Sequence, residues 1–549
     1  MSPLNTSQSA LALVVVLTVY QLLRRFVVKT SLDNIPGPPS NSFIKAVQQG
    51  NMRQLFNTNG WEFHHKLGET FGRVALVLGL FGDKQLYISD PKALYYILVK
   101  NQDLFDHSEA NLTMLSLIFG QSVGSTTGDQ HRKLRKMMNP VFSVAHLRDM
   151  LPIFYEVTQK IDVAIAKDLS DGPREINILQ WMTRAALEMI GQSGLGYSFD
   201  SLEDEESENP YTKAVKELFP TILKLRFIQE FLLVPLVKIG SPKFRRACVE
   251  LLPLKNVQKV KEMTDIMDKT SREIVDSKRQ ALAKGNEAVQ QQVSQGKDVI
   301  SILMKANLAA SERDRLDDTE VLAQLTGLIF GAMDTTSNAL SRTLYILAQH
   351  PEVQEKLRQE IREAREQYGQ IPHDELVALP YLDAICRETL RLYPPLSVVI
   401  RSSKKDAVVP LSTPIKGRDG QDINEIAIPK NTDIIISILN CNRDTSLWGS
   451  DALEWKPERW LSPLPDAVRE ARIPGVYSNL MTFIGGGHSC IGFKFSELEM
   501  KVVLSVLVDH YRFSPSKEEI IWQMGNISIP TVKGEPGKPV LPIKMDLVV

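Results

Sequence analysis

Apolar residues along the chain are grouped in three ways: one unbroken run, alternation, and helical spacing. The unbroken run comes first. Ala10 to Leu23 is apolar except for Thr18 and Gln21, and Arg24 and Arg25 follow it. With Phe26 to Val28 added and the arginines snorkelling, the stretch can reach across a thin membrane. No basic residue precedes it and no small-residue cleavage site follows, so a retained single-pass anchor is expected over residues 1–30. Positive charge on its C-terminal side would leave the rest of the chain in the cytosol. Ile35-Pro-Gly-Pro-Pro39 then predicts a stiff, proline-rich hinge over residues 31–40.

Alternation runs from Val74 to Ser89, with Gly82-Asp83 as a hairpin turn, and Asp90-Pro91 opens a helix. His107 to Gly120 reads as a loop with a short apolar stretch, and Gly128 to Lys136 as a basic helix that stops before Pro140. Leu218 to Gly240 is unusually apolar for a connection and carries Pro235, whereas Gln280 to Gly296 is a polar surface loop. Helical spacing is longest from Asp318 to His350. Asp317 is its N-cap with Glu320 three residues on, and Pro351 closes it. A last amphipathic helix runs from Ile491 to about Val508. The pattern is mainly α with small β-sheets.

Composition narrows the class without naming it. Hydrophobic content is 43%, with 30 prolines and 31 glycines, as in an ordinary globular protein. A net charge of −1 implies no nucleic-acid partner. Cys248, Cys386, Cys441 and Cys490 show no C-x-x-C or zinc spacing, which fits a reduced, cytosol-facing protein.

The candidate chemistry sits in Phe483-Ile-Gly-Gly-Gly-His-Ser-Cys-Ile-Gly492. The glycines let a flat ligand approach the backbone. Cys490 stands at a helix N-terminus, where free N–H groups favour thiolate. Gly492 removes the side chain that would collide with anything on that sulfur. Such a loop suits a thiolate ligand to a large planar metal cofactor; a buried free cysteine beside a glycine turn is the plainer reading. The spacing of Phe483, Gly486, His488, Cys490 and Gly492 resembles F-x-x-G-x-R-x-C-x-G, the haem-binding signature of cytochrome P450 monooxygenases, with His488 in place of Arg. Three further segments are similar to that family's motifs, in the same order. Gly331-Ala-Met-Asp334-Thr335-Thr336 resembles A/G-G-x-D/E-T-T/S, with Ala332 for Gly. Glu388-Thr-Leu-Arg391 matches E-x-x-R. Trp455-Lys-Pro457-Glu458-Arg459-Trp460 resembles the P-E-R-F segment, with Trp460 for Phe. His131 and Arg135 stand as in W-x-x-x-R, with His131 for Trp.

The resemblance spans nearly the whole chain and is closest in style to microsomal, basidiomycete-like members. It implies a cytochrome P450 fold, with residues 41–549 as a single catalytic domain around haem b. Cys490 would be the axial ligand of the iron; His131, Arg135, Arg401 and His488 would hold the propionates, and Phe483, Gly486 and Gly492 would shape the loop. Glu388, Arg391 and Arg459 would support it. Thr335 and Asp334 would deliver protons to O2 beside a local widening of the long helix. Leu325, Leu328, Ile329, Leu396, Val398 and Val399 would line an apolar substrate pocket. The 107–120 segment would roof that pocket or pack as core, and Leu218 to Gly240 would be a lipid-dipped lid or a broken core helix. Lys133 and Lys136 would face an acidic reductase that brings electrons from NADPH, since the chain has no nucleotide-binding glycine motif of its own. The implied setting is the endoplasmic reticulum membrane. The implied activity is hydroxylation or another oxidation of an apolar small molecule, by analogy a terpenoid of fungal secondary metabolism. Two other readings are a haem-thiolate isomerase or dehydratase, against which the Asp334–Thr335 pair speaks, and a non-catalytic haem sensor, for which anchor, acid and lid are superfluous.

Overall fold

The computed structural model describes residues 29–39, 50–203, 209–284, 297–312 and 314–548. The expected anchor lies outside the described residues except for its last two, as do the end of the hinge and most of the Gln-rich loop. Among the described residues no helix is long and apolar enough to cross a membrane.

Eight helices position the site: α1 (Glu109–Phe119), α2 (Gly128–Met138), α3 (Val144–Asp168), α4 (Ile178–Met189), α5 (Pro210–Leu223), α6 (Asp318–Gln349), α7 (Pro380–Leu392) and α8 (Phe493–His510). Four of them, α3, α4, α6 and α8, pack on one another as a ring around the main core. The capping box predicted for α6 is present: Asp317 accepts from the backbone N–H groups of Thr319 and Glu320, and Glu320 accepts from Asp317. From Thr336 onward α6 is buried on nearly every side. Some of its polar residues there are spent on the helix itself, as where the Thr343 hydroxyl donates to Ala339 O at 2.9 Å.

A five-stranded sheet flanks this bundle. Its strands are β1 (Val74–Leu78), β2 (Lys84–Ile88), β3 (Phe105–Asp106), β4 (Val398–Ser403) and β5 (Asp433–Ser437), in the order β1-β2-β5-β4-β3. The predicted hairpin is β1–β2, antiparallel with Val74 opposite Ile88; β2 and β5 run parallel, the other pairs antiparallel. Alternation on β4 sorts its residues. Val398 and Ile400 pack against the smaller cluster of Leu55, Val77 and Tyr87 on one face, while Val399 faces the main core.

Two expectations are corrected here, and a third segment is seen in more detail. The 107–120 segment is not a loop: Ser108 caps α1 by accepting from Asn111 N at 3.3 Å, and Gly120 ends it at φ 68°. Its apolar residues crowd both sides of the helix, which hid the 3.6-residue period. The segment expected as a stiff hinge is tied down at its described residues. Leu32 and Ile35 are buried, and Leu76 N donates to Pro36 O at 2.8 Å, so the chain is already stitched to β1 there. The 218–240 segment is not a core helix either. After α5 it makes three short helical turns, Arg226–Ile228, Gln229–Leu233 and Val234–Val237, with no buried residue, and Phe227, Leu232, Leu236 and Ile239 are exposed.

That segment touches the sheet where carboxylates crowd. Burial, with Glu230 and Asp83 nearby, pushes Asp433 up to about 6, opposed by the Ser402 hydroxyl and Arg226. An acid raised on folding stabilises below its unfolded value, about 3.9, and that contribution is lost as pH rises to about 6. Asp433→Asn should therefore raise the melting temperature at pH 7, by up to about 2 kcal/mol in stability, and have no effect near pH 4. An equal gain at both pH values would disprove the electrostatic origin.

Candidate active site

The loop from Met481 to Gly492 is fixed from beneath by backbone contacts that only glycine permits. At Gly486, φ is 76° and a Cβ would fall 1.8 Å from Leu98 O; at Gly485 it would fall 1.5 Å from Pro474 O. Gly487 N donates to the Gln102 side chain at 2.7 Å, and Cys490 N to Phe483 O at 3.0 Å. Helix α8 begins at Phe493, two residues later than the pattern suggested, with Gly492 as its N-cap.

Cys490 opens into an internal cavity of about 410 Å³. Burial raises its thiol above the ordinary value, against the Gly492 N–H and the Arg135 guanidinium.

The cavity is walled by α6 at Gln324, Gly327, Leu328, Gly331, Ala332 and Thr335, one stripe at helical spacing. Of the predicted pocket residues, Leu328 and Val399 line it. Leu325 and Ile329 do not, because they sit on the other side of α6 in the core; Val398 turns to the opposite face of the sheet, and Leu396 packs on the main core. Helix α6 continues unbroken past Thr335, whose hydroxyl donates to Gly331 O at 2.7 Å, so the expected local widening is absent from the backbone. Asp334 stands beside this wall, its carboxyl raised by burial and opposed by Lys216 of α5. Deeper, the Thr336 and Ser496 hydroxyls meet at 3.0 Å and tie α6 to α8.

At one end of the cavity lie the side chains expected to meet acidic groups. His131 stacks on His488, ring centroids 4.0 Å apart. Burial pushes both down to about 4, so both are neutral imidazoles. His131 Nε2 is buried and has no partner. Arg401 is buried, donates to Ile400 O at 3.0 Å, and forms no ion pair among the described residues. Arg135 also lines the cavity, and it donates to Ser489 O at 2.5 Å and to the Asn139 side chain, which ties it to the Cys loop. His107, at the start of the segment expected to roof the pocket, lines the cavity, and sequence reasoning missed Asp106, 3.7 Å from His488. Neither belongs to a motif; the fold of β3 alone brings them in. The basic face of α2 is less free than its sequence suggests, since Lys133 meets Glu320 at 3.5 Å and Lys136 meets Asp314 at 2.9 Å.

Behind the loop, Glu388 takes both forks of Arg391 at 2.8 Å, with Arg459 Nε at 3.4 Å. Trp460 adds a donor at 3.0 Å, so the departure from Phe becomes an extra hydrogen bond. Asn442 completes the support: its side chain binds Met481 N and Thr482, and its carbonyl accepts from Arg391.

The family model described as cytochrome P450 matches residues 35–535. The chain is 50% identical over 528 residues to cytochrome P450 monooxygenase 91 of Postia placenta, covering 96% of each protein. It is 44% identical to a ganoderic acid synthetase of Ganoderma lucidum over 95% of each chain, and 36% identical to a cytochrome P450 monooxygenase of Hericium erinaceus over 98% of each. A cysteine loop facing a threonine-bearing helix across one cavity, and relatives alike over nearly their whole length, place this chain in the cytochrome P450 family of haem-thiolate monooxygenases.

Proposed function

We propose that Cys490 ligates the haem iron and that the cavity above it oxidises an apolar, terpenoid-like molecule. The observation that carries this is one cavity shared by Cys490, Thr335, Arg401 and His131. The residues fit the cofactor. Among the described residues the buried Arg401 guanidinium has Asp106 nearby but no carboxylate in direct contact, and a buried imidazole nitrogen of His131 has no partner; both are costly unless an acidic ligand meets them, as haem propionates would. Bound there, the thiolate-ligated haem supplies activation of O2, placing one oxygen atom on the substrate and one in water. Arg401 and His131 would orient the propionates, and Gly492 leaves the sulfur unobstructed. On the other wall, the Thr335 hydroxyl and the Asp334 carboxyl would hold and pass protons. Apolar lining by Leu115, Phe119, Val123, Leu328 and Val399 favours a hydrocarbon-rich substrate, and the ganoderic acid synthetase relative supports the terpenoid class.

The same reading draws electrons from NADPH through a separate reductase and places the protein on the endoplasmic reticulum membrane. Support for lipid contact is the exposed apolar surface of the 226–239 segment, continued by Phe244 and Leu251. The test is the reduced, carbon-monoxide-bound spectrum of the full chain and of Cys490→Ala. The wild type should show the strongly red-shifted Soret band of a thiolate-ligated haem and the mutant should not. A wild-type protein that binds haem without that shift would refute Cys490 as the ligand.

A further inference from the structure

Glu320, Ala323, Gln324 and Gly327 form one stripe along α6, and every member of it meets the 120–133 segment. Glu320 accepts from the Gln130 side chain and from Lys133. A Cβ added at Gly120 would fall 2.9 Å from Ala323, and one added at Gly327 would fall 3.3 Å from Ser122, so segment and helix touch closely at both points. Between them stands Gln324, 2% exposed, with its whole amide engaged. Its Oε1 accepts from Val123 N at 3.0 Å, and its Nε2 donates to Gln121 O at 3.1 Å and to Glu320 O at 2.9 Å. Turned over, the amide would set N–H against N–H and oxygen against oxygen, so only this orientation bonds.

The loop that Gln324 holds is a unit in itself. Ser122 N donates to Ser125 Oγ at 2.8 Å, Ser125 Oγ donates to Gly120 O, and Thr126 Oγ1 donates to Ser122 O at 2.8 Å; all three hydroxyl residues are buried. The loop is bounded by Gly120 at φ 68° and Gly128 at φ 60°, and glycine moves between left-handed and other backbone conformations at little cost. Closed on itself and jointed at both ends, it swings as one piece once its bonds to α6 break. Among the described residues no other α6 side chain hydrogen-bonds to residues 120–127. Ser122, Val123 and Gly124 line the cavity, so this loop is part of the wall that a ligand meets.

We propose that Gln324 is a positioning residue that latches this wall: with its amide bonds made the 121–127 loop is shut, and with them broken the loop swings out and ligand passes. The inference rests on the cavity being the haem and substrate site. The latch acts on rates rather than affinity, because the amide is spent on the loop backbone and an opened wall speeds entry and exit alike.

Two readouts on the full-length holoenzyme separate a latch from ordinary packing. Gln324→Met keeps length and helix propensity but loses the amide, and Gln324→Glu keeps an acceptor for Val123 N alone. Backbone hydrogen exchange over 121–127 should be about tenfold faster or more in Gln324→Met, as expected for two lost hydrogen bonds, and intermediate in Gln324→Glu, with α3 and α8 unchanged. Stopped-flow binding of 1-phenylimidazole, which ligates the haem iron and shifts the Soret band whatever the natural substrate is, gives the second readout. Its association and dissociation rates should rise together by about tenfold while Kd stays within about twofold. Unchanged loop exchange, or exchange that quickens throughout the protein, would overturn the proposal. So would faster loop exchange with unchanged binding rates, which puts entry elsewhere, such as past the exposed 226–239 segment. A weaker Kd at an unchanged association rate would make Gln324 a ligand contact instead, and failure of both variants to fold would make it a residue of the fold. A wild type without the thiolate spectrum refutes the underlying reading of the cavity, whereas the exchange result tests the latch on its own.

Discussion

Glu388→Gln is expected to lower stability by about 3–5 kcal/mol and to strip the protein of its haem. Glu388 and Arg391 are both fully buried, and the carboxylate also accepts from Trp460 and from the Lys456 backbone. A neutral amide would leave the guanidinium of Arg391, and that of Arg459 beside it, without their shared countercharge in a dry site. The loss is large against a typical net stability of roughly 5–15 kcal/mol. It also reaches the cofactor by a short chain of contacts. Arg391 holds the Asn442 carbonyl, the Asn442 side chain holds Met481 and Thr482, and Phe483 O accepts from Cys490 N. Denaturant midpoints and the haem-to-protein ratio measure the two consequences separately. Arg459→Lys should cost less, because Arg459 stands farther from Glu388 and also reaches Asp451 and Trp448 O. A Glu388→Gln protein that keeps full haem and unfolds within about 1 kcal/mol of the wild type would show that this buried pair does not hold the loop.

Residues whose role follows from local chemistry were legible in the sequence. The α6 capping box, the β1–β2 hairpin and the Glu388–Arg391 pair each depend on neighbours a few positions apart, and each appears where the spacing put it. Residues whose role follows from which way a side chain points were not. Along α6 the cavity takes Gln324, Leu328 and Ala332 and turns Leu325 and Ile329 into the core, a choice made by how the helix is rotated against α4 and α8. On β4 the same ambiguity is two-fold, and only the sheet's partners decide that Val399 faces inward and Val398 does not. His107 and Asp106 show the third case. His107 lines the cavity and Asp106 reaches His488 because β3 pairs with the end of β4, a contact across nearly 300 residues that no local pattern announces. The hold of Asn442 on Met481 likewise joins positions that are distant in sequence.

Thr335→Ala should reduce product formation by about 100-fold or more while leaving the carbon-monoxide spectrum intact. Thr335 is the hydroxyl on the cavity wall of α6, and the proposed route takes a proton from the neighbouring Asp334 carboxyl to the cavity through it. The present bond from Thr335 to Gly331 O is no obstacle: a hydroxyl rotates about one torsion and can turn its hydrogen from the helix carbonyl to a ligand. Alanine removes that last carrier but leaves electron delivery untouched. NADPH oxidation should therefore fall much less than product, with the missing electrons recovered as hydrogen peroxide, two electrons and two protons for each O2. Asp334→Asn acts one step earlier. It should slow NADPH oxidation and product together, since water can still reach Thr335 but no buried acid supplies it. The measurement is product, peroxide and NADPH in one assay with reductase and an apolar substrate that perturbs the haem spectrum. Equal product per NADPH in Thr335→Ala and wild type would remove Thr335 from proton delivery. Its bond to Gly331 would then be a helix-internal contact and nothing more.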